Sequence, residues 1–223
     1  MQILGIEAAT KVASVAVISD EKILAEISQE ARLTHSETLL PQIEQVLKIA
    51  GVEKIDAVAV SIGPGSFTGL RIGLATAKSL AYAWQIKIIG VPTLQAISYH
   101  FATENAIILP MLDAQKNRAY AQQFKAGKSL TQIEVKSIDE IVTSAGQISG
   151  EVFLCGEVLS KIKVELPPNV KLAPINLRMP RAVNVALCGK DLLHAGEISN
   201  VMDLEPLYIR RSEAEELWEQ RQK

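Results

Sequence analysis

The segment Ser61-Ile62-Gly63-Pro64-Gly65-Ser66-Phe67-Thr68-Gly69-Leu70-Arg71-Ile72-Gly73 gathers the residue types most able to do chemistry in this chain. It follows an apolar run, Ile55 to Val60, and leads into a stretch of small residues. Backbone N–H groups of a glycine-rich turn at a helix start can cradle a phosphate. The spacing completes neither familiar cradle. Gly63, Gly65 and Gly69 form GxGxxxG, one residue away from the dinucleotide fingerprint, and no acidic strand end follows at the expected distance. A P-loop would end in Gly-Lys-Ser/Thr, where this chain has Gly69-Leu70-Arg71. The spacing therefore favours a tight strand-to-helix turn, with Ser66 or Thr68 capping the helix.

Two carboxylates come next. Ile3-Leu4-Gly5-Ile6-Glu7-Ala8-Ala9 lies without gaps on Leu109-Pro110-Met111-Leu112-Asp113-Ala114-Gln115, each with an acid and then an alanine at the end of an apolar run. Such a pair could manage metal and water around nucleotide phosphates, with Thr10 and Lys11 touching a phosphate. Close approach of backbone to phosphate needs glycine, and both turns lack it. Glu7 is one methylene longer than Asp, and Ala9 does not take positive φ freely. Glu7, Thr10, Lys11 and Asp113 are thus expected to mark a degraded nucleotide cleft, with its carboxylates solvated. A serine peptidase would draw on Ser66, His35 and Asp113, but there is no Gly-x-Ser-x-Gly elbow. A pairing of Cys155 or Cys188 with His194 has no supporting spacing. His35, His100 and His194 are scattered, so no metal site and no cofactor are expected.

The elements that must position these residues follow from periodicity. Ile3–Ile6, Ala13–Ile18 and Ile23–Ile27 predict an antiparallel meander. Leu39, Leu40, Ile43, Val46, Leu47 and Ala50 recur at helical spacing and Gly51 is a stop. Thr34 and Glu37 have capping-box spacing, and Pro41 predicts a late start or a bend. A strand to Ile62, a helix from about Thr68 to Trp84, a strand Ile86–Val91 and a helix from Thr93 to about Phe101 follow. The second half predicts strands Ile107–Leu112, Arg118–Phe124 and Thr131–Lys136, helix Asp139–Ala145, strand Glu151–Cys155, a helix after Gly156 and a helix over Pro180–Ala195. This is an α/β, two-lobed, duplicated βββαβα plan with a reduced second lobe. It resembles the plan of the actin, hexokinase and heat-shock-chaperone ATPase superfamily. The expected division is 1–105 and 106–223, hinged near 103–106.

Composition narrows the function. The 223 residues are 48% hydrophobic and 22% charged with a net charge of −2, enough for one sizeable core and too few cations for a nucleic-acid footprint. Cys155 and Cys188 have no CxxC spacing, which fits reduced thiols in a cytoplasmic protein. The N-terminus reads as a strand rather than a leader, and no apolar run approaches the ~20 residues of a membrane span. Gly69, Gly73, Ala77 and Ala81 recur every four residues, so they lie along one side of a helix. Two helical glycines cost about 1 kcal/mol each against alanine. Close packing is the usual compensation, here expected against the helix Leu39–Ala50 or a helix of another subunit.

Together these motifs resemble the TsaB (YeaZ) family of tRNA threonylcarbamoyladenosine biosynthesis. The resemblance is carried by His35-Ser36-Glu37-Thr38-Leu39-Leu40-Pro41, the Gly63–Gly73 run with Ala77-Lys78, Gly90-Val91-Pro92-Thr93-Leu94-Gln95-Ala96, Asp113-Ala114 with Tyr120, and Pro206-Leu207-Tyr208-Ile209-Arg210. Glu7 stands where the family commonly has Asp, and the charged Ser212–Lys223 tail is peripheral to the motifs. The resemblance implies a non-catalytic scaffold subunit that supports a TsaD-like enzyme in a heterodimer. It further implies that a TsaE-like ATPase joins the larger complex, that the chain alone is a homodimer, and that tRNA is met only through the complex. The contact implied is the helix pair 36–50 and 68–84, with Leu39, Leu40, Ile43, Leu47, Gly69, Leu70, Ile72, Gly73 and Ala77. The rival activity is an ATP-dependent kinase or ATPase using the cleft between the lobes.

Overall fold

A computed structural model describes residues 1–30, 35–101 and 105–209. The Thr34 half of the expected capping box, positions 103 and 104 of the expected hinge, Arg210 and the Ser212–Lys223 tail lie outside the described residues.

The first lobe opens with strands β1 (Ile3–Glu7), β2 (Val12–Ile18) and β3 (Ile23–Glu30). They form the expected antiparallel meander, joined by short polar turns. Helix α1 (His35–Ala50) leads to β4 (Ala57–Gly63), and α2 (Phe67–Trp84) leads to β5 (Lys87–Pro92). Pro41 sits inside α1 on its exposed side, where a missing N–H is no buried defect. Strands β4 and β5 add in parallel, giving the order β3-β2-β1-β4-β5.

The second lobe repeats this plan. Strands β6 (Ile107–Asp113), β7 (Arg118–Ala121) and β10 (Glu134–Ser137) form a meander. Strands β11 (Val152–Cys155) and β12 (Val170–Leu172) add in parallel, in the order β10-β7-β6-β11-β12. Helix α4 (Ile138–Ala145) takes the place of α1, capped by Ser137 and Glu140 in a full capping box. A single 3-10 segment, Glu157–Lys161, stands where the first lobe has the 18-residue α2, so the expected helix after Gly156 is a turn. A small hairpin, β8 (Phe124–Lys125) and β9 (Lys128–Ser129), is inserted after β7 and pairs with β6. It shortens the expected strand ending at Phe124 and delays the next one to Glu134.

Strand alternation divides the first sheet into two buried faces. Leu4, Ile6, Val15, Val17, Val58 and Val60 face α1 and α2, whereas Ile3, Ala16, Ile18, Ala57 and Ala59 face the other way. The second face is covered by α5 (Ala182–His194), through Ala182, Val183, Val185, Ala186 and Cys188. Helix α5 has no cap of its own. The Ser14 hydroxyl accepts from Ala182 N at 2.8 Å and the Glu26 carboxylate from Val183 N at 3.3 Å, with Arg181 paired to the same carboxylate. Helix α3 (Thr93–Ser98) makes the reciprocal crossing: Leu94 and Ile97 pack with Ile108, Leu112 and Phe124 of the second lobe. Residues 182–194, which lie beyond the expected division at 105–106, therefore pack with the first lobe. The first sheet is apolar on both faces, and the chain returns to cover the face that α1 and α2 leave open.

Candidate functional site

The hairpin after β1 is closed by the chain itself. Ser66 caps α2, accepting from Gly69 N at 3.3 Å, and Ser66 N donates to Ala9 O at 2.6 Å. A Cβ at Gly65 would lie 2.3 Å from Ala9 O, and one at Gly69 would lie 2.0 Å from Ala8 O. No side chain fits either place, because both atoms met are backbone. Gly73 continues the line, where a Cβ would lie 3.1 Å from Ala8 Cβ. The N-terminal half of the small face of α2 thus packs on hairpin Ala8-Ala9, and Ala77 and Ala81 further along it join the core with Leu39, Ile43 and Val46 of α1, the neighbour within the chain that the four-residue rhythm suggested. Two residues without Cβ let a helix backbone ride directly on a hairpin backbone.

Glu7 is correspondingly not solvated. It is fully buried, and Oε1 accepts from Ala9 N at 2.6 Å. The carboxylate is held by the same kind of N–H group that an anionic ligand would need. Burial pushes its carboxyl up to about 7, and the Glu157 charge adds to the rise; the Ala9 N–H and the Ser61 hydroxyl act the other way. The parallel register Ile6↔Val60 brings Ser61 alongside. That hydroxyl is close enough to favour the charged form but is not aligned for a hydrogen bond, and Glu7 Oε2 is unpaired. Thr10 is buried too, and Val12 N donates to its hydroxyl at 3.2 Å. Lys11 alone of these residues is exposed. His35 Nε2 pairs with Thr10 O at 2.7 Å, which ties the start of α1 to the hairpin rather than to Ser66.

Asp113 lies in a different environment. Its side chain is about one-third exposed and bonds to Lys161 at 2.6 Å. Its Oδ1 accepts from Gln115 N at 3.0 Å, and its own N–H donates to Glu157 at 3.1 Å. Gln115, Lys116 and Asn117 all have positive φ, between 51° and 61°, without a glycine among them. Glu157 touches both surroundings, since its charge raises the Glu7 pKa and it accepts from Asp113 N. Burial, then the Asp113 charge, raises its pKa, while the Asp113 N–H, Lys161 and Lys11 lower it. Glu157 and Lys161 were not legible as site residues, since no spacing connects them to either hairpin; Gly156 before them was the one signal. Glu7 and Asp113 thus sit in unlike environments, one buried and one paired with a lysine at the surface. Among the described residues no group of three or more His, Cys, Asp or Glu is arranged to hold a metal ion. Cys155 and Cys188 are buried, and burial raises both thiol pKa values, Cys188 to about 12.

The nine expected docking residues divide. Leu39, Ile43, Gly69, Leu70, Gly73 and Ala77 are buried within this chain, so they support the helix pair from beneath and are not available to a partner. Leu40 is 56% exposed, and Leu47 and Ile72 are half-buried. On α2 the face left open also includes Thr68, Ala75, Ser79 and Ala83.

Duplicated βββαβα lobes with crossing helices and a strand-end acid in each first hairpin define the actin and hexokinase type of ATPase fold. A sugar kinase structure, the ROK hexokinase from Thermus thermophilus, has this fold, with TM-score 0.52 and 12% identity over 86% of this chain and 100% of that chain. YeaZ from Pseudomonas aeruginosa superposes more fully, with TM-score 0.77 and 20% identity over 93% of this chain and 99% of that one. The profile of the family described as TsaD, tRNA N6-adenosine threonylcarbamoyltransferase, matches residues 22–218. The "tRNA threonylcarbamoyladenosine biosynthesis protein TsaB" of Bacillus subtilis is 26% identical over the full length of both chains. The protein of the same name from Escherichia coli is 33% identical over 129 residues, 56% of this chain and 55% of that one. This chain belongs to the TsaD family and, within it, to the TsaB (YeaZ) group.

Proposed function

We propose that this protein is a non-catalytic subunit of the machinery that makes threonylcarbamoyladenosine in tRNA, and that it supports a TsaD-like catalytic subunit in a heterodimer. The observation that carries this reading is the filled first hairpin. Ala8 and Ala9 are packed under Gly65, Gly69 and Gly73, and Glu7 turns its carboxylate onto Ala9 N, which supports a hairpin given over to packing rather than to a phosphate. Conversion of that hairpin into packing leaves α2 rigidly seated with one side open. The docking face is the outer side of the helix pair, with Leu40, Leu47 and Ile72 joined by Ala75 and Ser79. Small residues there let a partner helix approach closely. The same face serves the homodimer when the chain is alone. A TsaE-like ATPase joins the larger complex, tRNA is met only through the complex, and the setting is cytoplasmic. Among the described residues no helix is long and apolar enough to cross a membrane. The two lobes divide near residues 105–106, with α5 returning to pack on the first.

The test is co-purification with a TsaD-like protein followed by tRNA modification with and without this chain. Modification is expected only with both proteins and the ATPase present. Calorimetry with ATP and Mg²⁺ on the isolated chain is expected to give no heat up to millimolar nucleotide; micromolar binding would favour the kinase alternative and overturn the proposal.

A further inference from the structure

The Pro206–Tyr208 motif is far in sequence from the glycine motif and meets it in space. Residues 199–208 run along the free edge of β5 and over α2. Ser199 N donates to Ile88 O at 3.0 Å, and Gly90 N donates to the Ser199 hydroxyl at 3.3 Å. Leu204 drops into the notch over Gly90, where a Cβ would lie 2.8 Å from its Cδ1. Leu207 N donates to Ile62 O at 2.7 Å, just before the glycine loop.

Three side chains of α2 hold this strap. Phe67, Arg71 and Lys78 recur at i, i+4 and i+11, so they line one side of the helix. Lys78 Nζ donates to Met202 O at 2.9 Å and to Leu204 O at 3.1 Å. Tyr208 stacks on Phe67 with ring centroids 4.8 Å apart. Arg71 lies over the Phe67 ring at 3.8 Å, and its Nε donates to the Tyr208 hydroxyl at 2.9 Å. Helix α2 is therefore gripped on its small face by the β1–β2 hairpin and on a second side by the strap. What remains open is the side bearing Ile72, Ala75 and Ser79.

We infer that the 199–208 strap sets the orientation of α2 for docking, and that Tyr208 is a positioning residue for the catalytic partner without touching it. The inference rests on α2 being the docking helix. A helix fixed on two sides presents its third side in one orientation, so the partner does not bear the ordering cost at association. The aromatic stack and the guanidinium contact are together strong enough to matter at this scale.

The experiment measures affinity for the catalytic partner, with thermal melting in parallel, for Tyr208→Ala, Tyr208→Phe, Lys78→Met and Ser79→Arg. Tyr208→Ala is expected to weaken binding roughly tenfold, the scale of the lost stack and guanidinium contact. Tyr208→Phe keeps the stack and recovers most of that affinity. Lys78→Met frees the other end of the strap and weakens binding about threefold, a fraction of what its two charge-assisted hydrogen bonds contribute to holding the strap; it decides the matter if Tyr208→Ala melts too low to assay. Ser79→Arg blocks the open face directly. Normal binding by Ser79→Arg would overturn the docking reading and the inference with it. Weak binding by Ser79→Arg, with wild-type binding by both Tyr208→Ala and Lys78→Met, would overturn the strap inference alone.

Discussion

The hairpin after β1 and the hairpin after β6 occupy equivalent places in two copies of one topology, yet one is sealed and the other is open. In the first, the acid is fully buried, its neighbours are alanines, and the Gly65–Gly73 segment presses on the turn from above. In the second, the acid reaches solvent and a lysine, and the turn bears three consecutive left-handed residues. The cause is the element that succeeds the fourth strand of each sheet. The first lobe sends an 18-residue helix back over its hairpin, and the second has only the five-residue Glu157–Lys161 turn. A duplicated lobe can thus spend one hairpin on packing and leave its twin exposed, and the packed one builds the firmer surface.

The strongest way to break this contrast is at Gly69. Gly69→Val places a Cβ on a backbone carbonyl and is expected to cost about 3 kcal/mol or more, a fall of roughly 10 °C in melting temperature. Near-wild-type melting would mean that the hairpin is not sealed. Glu7 sharpens it through pH. Its folded pKa, about 7, stands above the ordinary 4.5, so the folded chain holds a proton that the unfolded chain has released. This group's favourable contribution is complete below pH 4.5 and is lost as pH rises toward 7. Glu7→Gln should remove that slope and be the more stable protein at pH 8, by up to about 3 kcal/mol. Parallel pH–stability curves for the two proteins in urea would contradict the burial of an unpaired acid.

Smaller effects are expected across the cleft. Asp113→Ala loses a part-exposed ion pair and should cost less than about 1 kcal/mol in chemical denaturation. A cost above about 2 kcal/mol would show that the second hairpin is packed as firmly as the first. Gln115→Gly relieves a left-handed backbone and should stabilise by about 0.5 kcal/mol, after the entropy glycine adds to the unfolded chain. The opposite sign would mean that the turn is held by contacts its neighbours impose.

The sequence by itself determined the order of elements in the first lobe, the repeated meander of the second and the equivalence of Glu7 with Asp113, because strand and helix periods and strand-end acids are local patterns; the β8–β9 hairpin and the turn after Gly156 were not legible in it. It also determined that one side of α2 is free of bulky side chains, since Gly69, Gly73, Ala77 and Ala81 share a helical face. It left open what meets that face. A run of small residues specifies close approach and not the neighbour, and only the tertiary structure put the Ala8–Ala9 hairpin there. Burial of six of the nine expected docking residues was hidden for the same reason: an apolar helix residue has the same letter whether it faces its own sheet or a partner. The return of α5 to the first sheet, the Tyr208 strap and the raised pKa of Glu7 join residues far apart in the chain. They depend on desolvation and packing between elements, and those terms exist only once the elements are assembled.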